Sequence, residues 1–209
     1  MRVLLSLILL VINATISLSQ DIPLFDGKSL SGWKVSDPAY SYLWKVVDGV
    51  IVGGDPVKKV PVNSYLVTEK TYRNFEFRCL FKLTGDPAMG MINSGIQYRS
   101  EIKNNDMVGY QADIGEGYWG DIYDEHRRGK LVSGDLSVLK EILNPTGWNS
   151  YIVRCVGNRH QLYINGVKTA DYIEKETAIP QQGIIGVQIH SGGNAQIFLK
   201  NISIEVLPD

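Results

Sequence analysis

Alanine is scarce in this 209-residue sequence, with seven residues against 21 Ile, 19 Val, 11 Tyr and 21 Gly. That balance leaves little room for helix and favours strands and turns. Basic runs are missing as well: Lys+Arg number 21 against 22 Asp+Glu, and the longest runs are the pairs Lys58-Lys59 and Arg127-Arg128. Nucleic acid is therefore excluded as a partner, and a neutral or small one is favoured. Beyond the N-terminus no apolar run approaches the ~20 residues that cross a bilayer, which excludes a polytopic membrane protein. Hydrophobic residues at 44% and charged residues at 21% exclude disorder and collagen-like structure. Two cysteines are too few for a disulfide scaffold. A chain of this length buries roughly two thirds of its unfolded surface and needs no staple. Neither a G-x-S-x-G nucleophile elbow nor a pair of histidines at helical spacing occurs, and His126, His160 and His190 are not grouped by sequence proximity.

The N-terminus reads as an export signal. Met1-Arg2 gives a basic start, Val3 to Ile12 an apolar stretch interrupted by Ser6, and Ser17-Leu18-Ser19 a small-x-small cleavage site. Residues 1–19 are expected to leave and 20–209 to form a single domain, periplasmic or extracellular, with no membrane attachment after cleavage. Export places Cys79 and Cys155 where a bridge persists, and their pairing is open because it needs Cα atoms within about 7 Å.

Strands separated by turns fill the rest. Trp44 to Val52 is two apolar runs around Asp48-Gly49, a hairpin dipeptide. Phe75, Phe77, Cys79, Phe81 and Leu83 alternate with polar residues, which predicts a strand with its odd positions inward. Trp148–Val156, His160–Ile164 and Val167–Ile173, joined by Gly157-Asn158 and Asn165-Gly166, predict a meander. Near the C-terminus, Ile197 and Leu199 are apolar at odd positions and Ile202, Ile204 and Val206 at even ones. The phase change predicts a β-bulge near Lys200-Asn201. Only Gly134 to Leu143 has the spacing of a short helix. Many antiparallel strands with hairpin turns predict a sandwich or barrel, with Phe75, Phe77, Phe81, Val153, Leu162, Ile164, Val187, Ile189, Ile202 and Ile204 in its core.

Gly115 to Gly120 spells G-x-G-x-x-G, but Asp121, Asp124 and Glu125 follow where a pyrophosphate needs a helix N-terminus. The segment is expected to be a loop and not a nucleotide site. Its adjacent aromatics, Tyr118 and Trp119, are expected to wall a sugar site. Alternation places Gln97, Arg99 and Glu101 on one strand face, Gln111 and Asp113 on another, and Gln188 and His190 on a third. A solvated outer sheet face is the alternative, although Lys, Glu and Thr usually dominate there. Gln and Arg beside Tyr110, Tyr118 and Trp119 suit a sugar, which offers hydroxyls to hydrogen-bond and an apolar ring face to stack.

At these residues the sequence resembles a known family. Leu24 to Trp33 (LFDGKSLSGW), NSGIQYRSE (93–101) with GYQADI (109–114), GWNSYIVRCVGNRHQLYINGV (147–167) and GIIGVQIHSGGNAQIFLKNISIEVL (183–207) are together similar to the 3-keto-disaccharide hydrolase domain family, over residues 22 to 207. The resemblance implies an all-β, two-sheet antiparallel jelly-roll sandwich of the concanavalin A-like lectin and glucanase type. It implies cleavage of disaccharides or glycosides oxidised at C3, typically by exported bacterial proteins. The catalytic E-x-D-x-x-E strand of glucanase relatives is absent, which argues against ordinary glucan hydrolysis. A C3 ketone acidifies the C2 proton, so a base, an enolate stabiliser and an acid for the leaving oxygen replace the paired carboxylates of usual glycosidases.

His190 fits the base or acid and Arg99 the cationic stabiliser, with Asp113 and Glu101 as further bases. Gln97, Gln111, Gln188, Tyr110, Tyr118 and Trp119 are the expected substrate contacts. Asp113, Glu101, Asp121 and His190 are alternatively ligands of a divalent ion, calcium or a transition ion, that polarises the ketone. A lectin-like carbohydrate-binding module and an exported interaction protein are the other two readings, and the oligomeric state is not fixed by the sequence.

Overall fold

A computed structural model describes residues 20–209, so the expected signal at 1–19 lies outside the described residues. Among the described residues, fifteen strands pack as two antiparallel sheets. In chain order they are β1 (Asp21–Pro23), β2 (Trp33–Val35), β3 (Trp44–Val47), β4 (Val50–Gly54), β5 (Ser64–Tyr72), β6 (Phe75–Thr84), β7 (Asn93–Lys103), β8 (Asp106–Gly115), β9 (Ile122–Glu125), β10 (Gly129–Val132), β11 (Asn149–Val156), β12 (Arg159–Ile164), β13 (Val167–Ile173), β14 (Gly183–Ile189) and β15 (Gln196–Val206). One sheet runs β13-β12-β11-β6-β15-β4-β3, with β1 also on β15, and the other runs β10-β9-β8-β7-β14-β5-β2. Consecutive strands are hairpin neighbours in places, whereas β15 inserts between β6 and β4 and β14 between β7 and β5. The result is a jelly-roll sandwich and not a barrel.

Local chemistry explains the elements. Asp48 (φ 49°) and Gly49 (φ 76°) turn β3 into β4, and Asn165 (φ 50°) and Gly166 (φ 80°) turn β12 into β13. These are the residue types that accept a left-handed turn. In β6 the odd residues are buried and the even ones partly exposed, as the alternation predicts. The register of β15 against β6 breaks between Lys200 and Ser203, with Asn201 at φ 52°, so the bulge lies where the apolar phase changes. The only α-helix among the described residues, α1 (Leu136–Ile142), is capped by Asp135, whose carboxylate accepts from the Ser137 and Val138 N–H groups.

The core lies between the sheets and contains all ten residues expected there. Each such side chain contributes about 1.5–3 kcal/mol of burial. Cys79 lies opposite Tyr151, and Cys155 opposite Phe75, so the two thiols are four register steps apart on neighbouring strands. Both are free and buried, and burial pushes the Cys155 thiol up to about 12.

Candidate functional site

The outer face of the β7–β8–β14 sheet carries a small cleft of about 110 Å³, lined by Met91, Asn93, Gln111, Asp113, Tyr118, Tyr123, Glu125 and His190. Gln111 and Asp113 share one face of β8, and β9 brings Tyr123 and Glu125 alongside. His190 stands just beyond β14, where its backbone N–H donates to the Asn93 carbonyl at 3.1 Å. Tyr118 comes from the turn between β8 and β9. Glycines at positive φ (Gly117, 81°; Gly120, 71°) let this turn fold back, and the Gly120 N–H donates to the Asp113 carbonyl at 3.1 Å. The G-x-G-x-x-G segment is therefore a strand-to-strand turn that presents Tyr118.

A hydrogen-bonded chain organises the floor. The Gln97 amide donates to Gln111 Oε1 at 2.6 Å, and the Gln111 amide donates to Asp113 Oδ1. All three side chains are buried, so the face is not the solvated alternative. Gly95, the cross-strand partner of Asp113, leaves the space in which Gln111 lies. Burial, reinforced by the nearby Asp121 and Glu125 carboxylates, holds the Asp113 carboxyl well above the usual range despite the Gln111 amide and Lys130. Glu125 is also raised, chiefly by burial, against the lowering charges of His126 and His190. His190 Nδ1 lies 2.8 Å from the Ser191 carbonyl. A carbonyl only accepts, so Nδ1 carries a proton, and in the neutral ring Nε2 is then the nitrogen with the lone pair.

Of the expected site residues, Asp113, His190, Gln111 and Tyr118 line the cleft and Gln97 braces its floor. Gln188 is buried on the same face, where its amide donates to the Tyr65 hydroxyl at 3.2 Å and its carbonyl oxygen has no protein partner. The others go elsewhere. Arg99 sits at φ 47° where the register of β7 against β8 breaks between Tyr98 and Glu101, so the expected alternation ends there. Its guanidinium turns into the sandwich, where Nε and Nη2 donate to the Arg73 carbonyl at 3.0 and 2.6 Å and Nη1 donates to Gln181 Oε1. It is a structural cation and not the enolate stabiliser expected for it. Glu101 is exposed beside a separate groove with Lys34 and Arg127. Tyr110 faces the core, stacked on Tyr98 at 5.5 Å, and its hydroxyl donates to Glu174 at 2.6 Å. Trp119 packs on the sandwich with its ring 6.3 Å from Phe81 and so does not wall the cleft.

Asp121 is buried with one oxygen accepting the Gly134 N–H at 2.8 Å and the other 2.5 Å from Lys130 Nζ. With Glu101 remote and Asp121 engaged, the expected ion ligands do not converge. No group of three or more His, Cys, Asp and Glu side chains among the described residues is placed to hold a metal. These residues do not fit the expected ion. Sequence reasoning missed Asn93, Tyr123 and Glu125. The last had a readable signal, since it shares the odd phase of β9 with Tyr123, but the G-x-G-x-x-G pattern drew attention to its neighbours instead.

The family model for the 3-keto-alpha-glucoside-1,2-lyase-like domain matches residues 20–205. Among solved structures, a candidate glycosyl hydrolase of Parabacteroides distasonis ATCC 8503 is 23% identical with a TM-score of 0.64, covering 88% of this chain and 93% of the other. The carbohydrate-binding module CBM66 of Bacillus subtilis is 12% identical with a TM-score of 0.61, covering 85% and 98%. The exoplasmic domain of VIP36, bound to Ca2+ and Man3GlcNAc, is 11% identical with a TM-score of 0.56, covering 87% and 88%. At these identities the likeness is one of fold, the concanavalin A-like lectin and carbohydrate-binding sandwich. No curated protein matches the chain by sequence.

Proposed function

Because the chain belongs to the 3-keto-alpha-glucoside-1,2-lyase-like domain family, a glycosyl-hydrolase-like and carbohydrate-directed group, we propose that it is an exported enzyme that cleaves glycosides oxidised at C3. The observation that carries this reading is the meeting, in one cleft, of an imidazole whose Nδ1 donates to the Ser191 carbonyl and a buried carboxyl whose pKa is held well above the usual range.

A C3 ketone makes the C2 proton acidic, and His190 Nε2 is the base that takes it. Negative charge then moves to the C3 oxygen. Asp113, kept neutral by burial, donates a hydrogen bond to that oxygen, because an uncharged acid stabilises a developing enolate better than a carboxylate would. The Gln97–Gln111 chain occupies Asp113 Oδ1 and so leaves the other oxygen for the substrate. Tyr118 offers its ring as a wall for the apolar face of the sugar. Collapse of the enolate breaks the C1–O bond and releases the aglycone alcohol. Water then adds at C1 while the His190 proton returns to C2, so the net change is hydrolysis.

The test is to incubate the protein with a 3-keto-glucoside and with the unoxidised glucoside. Turnover of the keto compound alone is expected, and His190→Ala should lower it about 10²–10⁴-fold, the size of a general acid–base contribution. Binding without turnover would replace the enzyme by a carbohydrate-binding module. Cleavage of the unoxidised sugar at the same rate would remove the keto-sugar mechanism.

A further inference from the structure

The reaction read into the cleft needs a third group, one that protonates the departing oxygen and later deprotonates the incoming water. Neither His190 nor Asp113 is free for it, since one carries the C2 proton and the other holds the C3 oxygen. Glu125 is the remaining carboxyl lining the cleft.

Its surroundings are unusual in three ways. It is flanked by His126, whose Nε2 lies 3.7 Å from Glu125 Oε1 and 3.0 Å from Asp106 Oδ2. Asp106 is itself fixed, because its Oδ1 accepts the Met107 N–H at 2.8 Å. His126 stands at φ 56° in the turn between β9 and β10, a left-handed conformation that Gly or Asn adopts at lower cost. Histidine is among the types that turns accept at such a φ, and the turn here sets its imidazole between the Asp106 and Glu125 carboxyls.

We propose that Glu125 is the acid–base group at the leaving oxygen of the glycoside, and that His126, braced by Asp106, is the residue that positions it. The role rests on the reading of the cleft as a keto-glycoside site. The proton moves from the Glu125 carboxyl to the C1 leaving oxygen as the C1–O bond breaks, and water later returns a proton to the Glu125 carboxylate as its oxygen bonds to C1. A group that must work in both directions needs both protonation states within reach. Burial favours its neutral form, whereas the imidazolium form of His126 favours the charged one. His190 acts in the same sense as His126, and Asp106, Asp124 and Asp113 oppose them. Tyr65 and Tyr123 also feel the Glu125 charge.

Two measurements test it. The first compares wild type with Glu125→Gln on an alkyl 3-keto-glucoside and on the para-nitrophenyl one, whose leaving group departs without an acid. A loss of about 10²–10⁴-fold on the alkyl substrate and less than about tenfold on the aryl one is expected. Equal losses on both would overturn the acid role. The second follows the Glu125 carboxyl by carbon NMR in wild type and His126→Gln. Removing the cation should move its titration to higher pH, and the alkaline limb of the kcat/KM profile on the alkyl substrate should move the same way. An unmoved carboxyl would overturn the positioning role. If wild type turned over neither keto-glucoside while the carboxyl still moved, the reaction and the acid role would fall together and the His126–Glu125 coupling would stand.

Discussion

Adding one methyl group at Gly95 should uncouple the floor of the cleft. The backbone there is not in the left-handed region, so alanine fits its φ, and only packing opposes the change. A Cβ on Gly95 would lie 2.6 Å from both Cγ and Cδ of Gln111 and 3.0 Å from its Nε2. Gln111 is buried and cannot retreat without breaking both of its hydrogen bonds, to Gln97 and to Asp113. Overpacking of this kind costs about 1–3 kcal/mol. The two bonds add about 0.5–1.5 kcal/mol each. The stiffer unfolded chain of an alanine variant returns only about 0.4–1 kcal/mol. The net expectation for Gly95→Ala is a loss of about 3 kcal/mol, within a range of about 1–5.5 kcal/mol, measured by urea unfolding at pH 7. In a Gln111→Ala background the obstructing atoms are gone, and Gly95→Ala should be neutral or stabilising by up to about 1 kcal/mol. If the second methyl cost as much with Gln111 absent as with it present, the chain Gln97–Gln111–Asp113 would not be what fills the space over Gly95, and the account of the floor would be wrong.

Two other expectations follow from buried titratable groups. Asp113 has a raised pKa, so its contribution to stability is complete below the carboxyl's ordinary 3.8 and is lost as pH rises through the raised value. Asp113→Asn keeps an oxygen to accept the Gln111 amide and has no such loss, so it should gain on wild type in stability as pH rises above the ordinary 3.8, while turning over keto-glucosides more slowly; parallel stability curves would refute the raised Asp113 pKa. His160 shows the opposite sign. It is fully buried, 4.4 Å from the Tyr110 ring, and burial with the Arg99 charge lowers its pKa from 6.5 to about 3. Its stabilising contribution is present above pH 6.5 and declines by about 1.4 kcal/mol per pH unit below it. His160→Phe should therefore lose less stability than wild type between pH 6.5 and 5, as read by denaturant unfolding at each pH, and equal slopes would show that His160 is not held neutral.

The fold was legible because it depends on periodicities confined to short segments. The Phe75–Leu83 alternation, the Asp48-Gly49 and Asn165-Gly166 turns and the phase change at Lys200-Asn201 each state their own geometry, and the sandwich has one way to bury all of them. The candidate site was legible by the same rule only while the alternation lasted. Gln97, Gln111, Asp113 and His190 obey it and meet, although they come from β7, β8 and the end of β14.

Arg99 shows where that rule stops. An arginine at positive φ carries no mark in the sequence, because glycine or asparagine is what such a position usually takes, and the bulge it creates sends every later residue of β7 to the other phase. Glu101 left the site for the same reason. Trp119 was decided by neighbours more than thirty residues away, since only the assembled β6 places Phe81 under its ring. The sequence by itself determined that this chain folds as an antiparallel sandwich with an amide- and carboxyl-rich sheet face, because hydrophobic period and turn chemistry are local properties. Only the tertiary structure decided which of those polar groups share a cleft, which proton each holds and that Glu125 and His126 join them, because burial and charge act between residues that the chain brings together only when it folds.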